Sequence, residues 1–265
     1  MRVVSVGAGN LATWITLSLR QAGHTLLQVY SRTEGSARRL ASLLDCAYTH
    51  HTAGVMPGAD VYIFAVADDA LPGLVDALAP VVGTSLCLHT AGSVPMQVFR
   101  GKVPHYGVLY PMQTFSRTRQ VSFRNIPCFV EAPDAADLLL VQELARSVSD
   151  HVQVMDGARR RYLHLAAVFA CNFVNHCYAL SASLLQEQGI PFEVMHPLIE
   201  ETARKAMEMP PTVAQTGPAV RFDHTVMDAH VALLQGHDHL AELYRMMSEG
   251  IHSMAINARE QHDKL

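Results

Sequence analysis

The chain has 265 residues, 49% of them apolar, and a formal net charge of −4. That is enough for one large domain or two modest ones with a sizeable core. The charge offers no basic excess for nucleic acid and no Lys/Arg run for a membrane surface. Cys46, Cys87, Cys128, Cys171 and Cys177 are scattered and form no C-x-x-C pair. This points to reduced thiols in a cytoplasmic protein, not to disulfides or zinc. His50-His51 and His237-x-His239 lack carboxylate company, so no metal is expected. A charged residue and a Gly-punctuated strand stand where a signal peptide would carry a long apolar stretch.

Val3-Val4-Ser5-Val6 reads as a buried parallel strand. It breaks at Gly7-Ala8-Gly9 and resumes as a helix from Asn10-Leu11-Ala12 to about Ala22, which is G-x-G-x-x-A on a strand, turn and helix. Gly7 permits the tight turn, Gly9 lets a pyrophosphate approach the backbone, and Ala12 keeps helix and strand close. The N–H groups of the helix start then offer a dinucleotide phosphate site. His24–Tyr30 reads as a second strand ending at Ser31-Arg32-Thr33. An acidic residue there would hold a ribose 2′-hydroxyl. A hydroxyl and a guanidinium suit a 2′-phosphate better, so NADP is favoured over NAD.

Glu34–Leu44 is expected to be helical and Cys46–Tyr48 a short strand. Val61–Val66 is a strongly β-biased strand running into Ala67-Asp68-Asp69, with Asp68 or Asp69 placed to cap a helix over Ala70–Leu78. The backbone of Ala65, Val66 and Ala67 would line the dinucleotide crevice. Ser85–Leu88 makes the next strand and leads into the polar loop His89-Thr90-Ala91-Gly92-Ser93. His105–Leu109 follows, then the proline-restrained loop Tyr110-Pro111-Met112-Gln113-Thr114-Phe115-Ser116, whose polar side chains could shape a pocket or form a surface turn. A strand over Cys128–Glu131, an amphipathic helix over Asp134–Val148 and a strand over His151–Val154 complete an α/β, doubly wound, mainly parallel domain at 1–154.

Residues 155–265 read as an all-α domain. A long buried helix is expected over Gly157–Gln188, ended by Gly189, and another over Phe192–Met207. A loop over Thr212–Asp223 and helices over Thr225–Leu234 and His239–Glu260 follow. On the long helix His164, Val168, Asn172 and Asn175 are spaced to share a face. Buried asparagines must find partners, either neighbouring backbone or a ligand. A histidine beside them can exchange a proton near neutral pH. Arg221 could grip a substrate carboxylate or tether Asp223. Apolar faces on successive helices predict a homodimer through this domain.

Gly7-Ala8-Gly9-Asn10-Leu11, His89-Thr90-Ala91-Gly92-Ser93, Pro111–Phe115, His164 through Asn172-Phe173, and Thr216–Asp223 stand in an order that resembles one family across nearly the whole chain. These are the Rossmann-like NADP oxidoreductases with a C-terminal DUF2520 helical domain, similar to pyrroline-5-carboxylate reductase. The resemblance implies a fold and a cofactor more strongly than a reaction. Related β-hydroxyacid dehydrogenases carry a lysine four residues before an asparagine on the interdomain helix. Here Val168 and Cys171 stand there, and Lys102, Lys205 and Lys264 lie elsewhere. Tyr110 likewise occupies the place of a histidine in prephenate-dehydrogenase-like proteins.

These observations imply hydride transfer between a nicotinamide and a small imino- or keto-type substrate in an interdomain cleft. His164 is expected as proton donor or acceptor, with Asn172 and His89 as catalytic partners. Ser93, Tyr110, Gln113, Asn175 and Arg221 are the expected substrate contacts. Gly7 to Leu11, Ser31 to Thr33, Ala65 to Ala67 and Ala91 are the expected cofactor contacts. A non-catalytic NADP-binding sensor or scaffold is the alternative, and a deazaflavin-dependent NADP oxidoreductase a third reading.

Overall fold

The computed structural model describes residues 1–119 and 121–262. The chain divides into two compact units, Met1–Cys177 and Tyr178–Leu265.

The first unit is built on an eight-stranded sheet. Its elements are β1 (Arg2–Val6), α1 (Asn10–Gln21), β2 (Thr25–Tyr30), α2 (Glu34–Leu44), β3 (Ala47–Thr49), β4 (Val61–Phe64), α3 (Leu71–Val82), β5 (Leu86–His89), β6 (His105–Pro111), β7 (Cys128–Glu131), α4 (Ala135–Val148) and β8 (Val152–Val154). The strand order is β3-β2-β1-β4-β5-β6-β7-β8, and only the β6–β7 pair is antiparallel. The central strands are apolar on both faces because helices cover both. In β4, Val61 and Ile63 enter one core with Ile15 and Leu19 of α1, Leu40 of α2 and Leu144 of α4. Tyr62 and Phe64 enter the other with Leu71, Val75 and Leu78 of α3. Such strands read as continuous hydrophobic runs, and this is why the sequence betrays them.

The cap expected for α3 is absent. Ala70 is its N-cap residue, with no side chain bonded to the helix start. Asp68 turns instead to accept a hydrogen bond from the Ser93 hydroxyl. In α4 a carboxylate cap does form, with Asp134, expected as the first residue of the helix, standing as its N-cap and accepting from the Asp137 N–H at 2.9 Å.

The long helix is not uniform. It consists of α5 (Gly157–Ala167), a π-helical turn over Val168–Phe173, and α6 (Val174–Glu187). Nor is it buried, as its apolar run predicted: Phe169 is 62% and Phe173 50% exposed.

In the second unit α6 ends ahead of Gly189, which takes φ 66°. The expected Phe192–Met207 helix is a 3₁₀ turn over Phe192–Met195 followed by α7 (His196–Glu208). The expected loop contains two short helical turns, α8 (Pro211–Ala214) and α9 (Pro218–Arg221), before α10 (His224–Leu233) and α11 (Asp238–His262). The Phe222 ring stacks on His252 of α11 at 4.1 Å. His230 and Tyr244 join α10 to α11 through a 2.9 Å hydrogen bond.

Candidate active site

Parallel pairing of β2, β1, β4, β5 and β6 brings their carboxyl ends to one edge of the sheet. Gly7, Ser31-Arg32-Thr33, Ala65-Val66-Ala67, Thr90–Ser93 and Tyr110 all stand at that edge. It is where open α/β sheets bind ligands.

Gly7 is buried, with φ 124°. Its N–H donates to the Tyr30 carbonyl at 2.8 Å. A Cβ here would lie 2.1 Å from the Ala65 carbonyl oxygen, so no other residue fits the turn. Gly9 is different: it is exposed, and a Cβ there would meet nothing within 4 Å. The open space lies over the start of α1, whose N-cap is this glycine and whose first-turn N–H groups receive no side-chain cap. Uncapped N–H groups, a positive helix end and room above the backbone fit a dinucleotide pyrophosphate. Asn10 ties the turn to the loop after β6 by donating to the Phe115 carbonyl at 2.9 Å, and Trp14 does the same with Ser116 at 2.7 Å. Arg32 and Thr33 are exposed and Ser31 is half-buried, which leaves the guanidinium available to a phosphate.

Two segments meet His164 of α5: β6 through Tyr110 and the loop after β5 through Gly92. The imidazole Nδ1 is hydrogen-bonded to the Tyr110 hydroxyl at 3.0 Å, and the two rings meet edge to face at 5.9 Å. Its Cγ and Nδ1 crowd Gly92, where a Cβ would stand only 2.6 Å away. One turn earlier on α5, Arg160 is 1% exposed and pairs with Glu131 at the end of β7. Arg160 also donates to the Val94 carbonyl at 2.7 Å, and Glu131 accepts from the Gly157 N–H at 3.0 Å. The start of α5 is thus pinned to β7 and to the loop after β5, and His164 is delivered between Gly92 and Tyr110. Burial pushes the Tyr110 hydroxyl above its usual pKa, opposed by the nearby positive charge of Arg160. Tyr110 is therefore a neutral phenol at working pH.

The other expected site residues fall in several places. His89 does not present a reactive group. It is fully buried in β5, stacks on Phe99 at 5.8 Å, and its Nδ1 accepts from the Ala91 N–H at 3.2 Å. Burial, aided by the charge of Arg160, lowers its pKa to about 3. It is a neutral prop under the loop that carries Gly92. Ser93 is at the rim, bonded to Asp68. Gln113 is turned back on its own loop, accepting from the Thr114 N–H at 2.8 Å.

Asn172 and Asn175 are exposed, not buried as their helix suggested, and neither has a hydrogen-bond partner among the described residues. The π turn also changes their facing. In a plain α-helix Asn172 would sit about 80° from His164 and Asn175 about 20°. One extra residue in the turn rotates the residues beyond it back by about 100°, which carries Asn175 of α6 away from His164, while Asn172 lies within the turn itself. Arg221, in the second unit, is exposed on α9. Asp223 is not its tether: that carboxylate caps α10 by accepting from the Val226 N–H at 3.3 Å.

Sequence reasoning passed over Gly92, Glu131 and Arg160. Arg160 sits inside Arg159-Arg160-Arg161, which looks like a solvated charge run. A lone carboxylate ending an apolar strand, Glu131, was the one available hint.

Two family profiles match the chain. "NADP oxidoreductase coenzyme F420-dependent" covers residues 2–86, and "Domain of unknown function (DUF2520)" covers residues 126–251. BF3122, a candidate NADP oxidoreductase from Bacteroides fragilis, is 47% identical with TM-score 0.92, matching over 95% of this chain and 98% of that one. At the level of fold alone, the chain is similar to an imine reductase from Myxococcus stipitatus solved in complex with NADP+ (14% identity, TM-score 0.69, 98% and 95% of the two chains). It is similar in the same way to 1-pyrroline-5-carboxylate reductase from Streptococcus pyogenes (14% identity, TM-score 0.62, 98% of each chain). A search of curated proteins returns no match. The identity and coverage shared with BF3122, over a glycine turn at the carboxyl edge of a mainly parallel sheet, show that the chain belongs to the NADP oxidoreductases with a C-terminal DUF2520 domain.

Proposed function

We propose that the protein is an NADPH-dependent reductase of small imino or keto compounds, with His164 as the proton donor. The carrying observation is the placement of His164, held by Tyr110 and Gly92, at the sheet edge that holds the glycine turn. When bound, the nicotinamide supplies the hydride. The protein's part is to hold the dinucleotide through Gly7, Gly9 and the start of α1, and to give a proton to the nitrogen or oxygen that gains negative charge. Asn172, exposed in the π turn that follows α5, orients that polar atom. Arg32 with Ser31 and Thr33 selects NADP over NAD by pairing with the 2′-phosphate.

The test is a protein-dependent fall in NADPH absorbance across a panel of cyclic imines and keto acids. Turnover on a member of the panel, lost in His164→Ala, is the expected result. Tight NADPH binding with no turnover would favour a sensor, and turnover only with a deazaflavin would favour an F420-dependent exchange.

We also propose that a second copy of this chain covers the long helix in a cytoplasmic homodimer. Tyr162, Leu165, Phe169 and Phe173 are at least half exposed there, an apolar surface that a lone chain rarely leaves in water. The helix is long and apolar enough to cross a membrane, but Asn172, Asn175 and His176 interrupt it with polar groups that a bilayer would not satisfy. Light scattering coupled to size exclusion is expected to give twice the chain mass. A monomer at working concentration would end this reading.

A further inference from the structure

We propose that Tyr110 is a positioning residue for His164: its hydroxyl donates to Nδ1, fixes the imidazole as the Nε2–H tautomer, and hands its own proton to the ring when Nε2 gives one up. The argument begins with hydrogen-bond capacity. Tyr110 is 8% exposed, and among the described residues its hydroxyl has one hydrogen-bond partner, His164 Nδ1 at 3.0 Å. A phenol has a single proton to donate, and a neutral imidazole has one donor nitrogen and one acceptor. Were Nδ1 the donor, the phenol proton would be left without an acceptor in a largely buried place. Were Nδ1 the acceptor, both groups are satisfied. The second pairing also agrees with basicity, since an imidazole nitrogen takes a proton more readily than a neutral phenol oxygen does. The hydrogen bond made by one ring nitrogen decides which proton the other carries.

The surroundings keep the ring from escaping this arrangement. The Tyr110 ring meets it edge to face, and the Gly92 backbone lies against Cγ and Nδ1. The Nδ1 edge is thereby occupied, and Nε2 is the nitrogen left to meet a substrate.

The proton step rests on the reductase reading above; the tautomer does not. As hydride adds to the substrate carbon, the Nε2–H bond breaks and that proton passes to the substrate nitrogen or oxygen. A neutral imidazole that lost this proton alone would become an anion. The Tyr110 O–H proton moves to Nδ1 instead, so the ring stays neutral and the electron pair of the O–H bond remains on the phenol oxygen. Burial, the larger effect, works against that anion, and the charge of Arg160 acting through space offsets part of the cost for the short life of the phenolate. After product leaves, a solvent proton taken up at Nε2 sends the Nδ1 proton back to Tyr110. Atoms and charge balance over the cycle.

The experiment is long-range proton–nitrogen NMR on the full-length apo chain labelled with ¹⁵N-histidine, the His164 signals being identified by their loss in His164→Gln. The wild type is expected to show the Nε2–H pattern. Tyr110→Phe is expected to move the signals toward the Nδ1–H form, to leave NADPH binding within about twofold, and to lower kcat roughly 100-fold with little change in KM for NADPH, the scale of one proton-transfer contribution. An Nδ1–H pattern in the wild type, or an unchanged pattern in Tyr110→Phe, overturns the proposal. The wild-type spectrum decides even if the variant folds poorly. It is read without substrate, so a failure to find turnover would count against the reductase reading and not against the tautomer.

Discussion

Gly92 and His164 are in contact so close that a single added methyl group would separate them. A Cβ on Gly92 would fall 2.6 Å from Cγ and Nδ1 of His164 and 2.9 Å from its Cβ. The loop after β5 therefore has the shape of the imidazole built into it. Gly92→Ala is expected to push the ring off Tyr110, cutting turnover by about tenfold or more, while the overpacking costs about 1–3 kcal/mol of stability. Steady-state kinetics beside thermal unfolding checks this, and an active Gly92→Ala protein of unchanged stability would show the loop to be soft.

Gly7 makes a second steric prediction. The residue combines φ 124° with a carbonyl oxygen 2.1 Å from where a side chain would begin. Gly7→Ala must move β4 or distort the turn, and both spoil the path of the pyrophosphate. NADPH affinity measured by fluorescence titration is expected to fall at least 100-fold, about 3 kcal/mol. Gly9→Ala, with open space at its Cβ, should fold normally and lose affinity only through contact with the cofactor.

Much of this was legible in the sequence because buried parallel strands and tight turns leave local marks. Val61–Phe64 is unbroken by polar residues since helices cover both its faces, and Gly7-Ala8-Gly9 interrupts β1 where the turn demands it. The site was less legible because its contacts are long-range. Tyr110 and His164 are 54 residues apart, and no spacing rule joins a strand end to a helix beginning after two further strands. The π turn over Val168–Phe173 has no Pro or Gly to announce it, and its apolar residues suit an α-helix equally well. His89 looked reactive because it ends a strand at the carboxyl edge. The sequence could not say that its ring turns into the core.

Arg32 tests cofactor choice. Its exposed guanidinium at the end of β2 has the position and charge for a 2′-phosphate. Arg32→Ala is expected to weaken NADPH roughly 10- to 100-fold, as the loss of a charge-assisted contact does, and to leave NADH nearly unchanged. Parallel titrations with the two nucleotides measure the ratio. Equal loss for both would assign Arg32 to general electrostatics.

The Arg160–Glu131 pair predicts a stability effect of another kind. Arg160 is 1% exposed, so removing its partner strands a charge in the core. Glu131→Gln is expected to cost about 3–5 kcal/mol, whereas a double change to Gln and Met should recover part of the loss. Urea denaturation of the single and double variants decides it. If the single variant is unaffected, the pair does not anchor α5.

His89 gives the fold a dependence on pH. The unfolded chain takes up a proton on this residue near pH 6.5, but the folded chain holds it neutral down to about pH 3. Between those values the unfolded state binds the extra proton, so stability rises with pH there. The contribution is complete above pH 6.5 and is lost progressively as pH falls toward 3, at up to about 1.4 kcal/mol per pH unit. Cutting the titration out with His89→Gln should flatten that part of the curve, although it also disturbs the acceptor of the Ala91 N–H. The measurement is the urea midpoint of both proteins from pH 7 down to pH 4. Parallel curves would mean that His89 is protonated in the folded state, and with it that the loop carrying Gly92 rests on a charged and not a neutral ring.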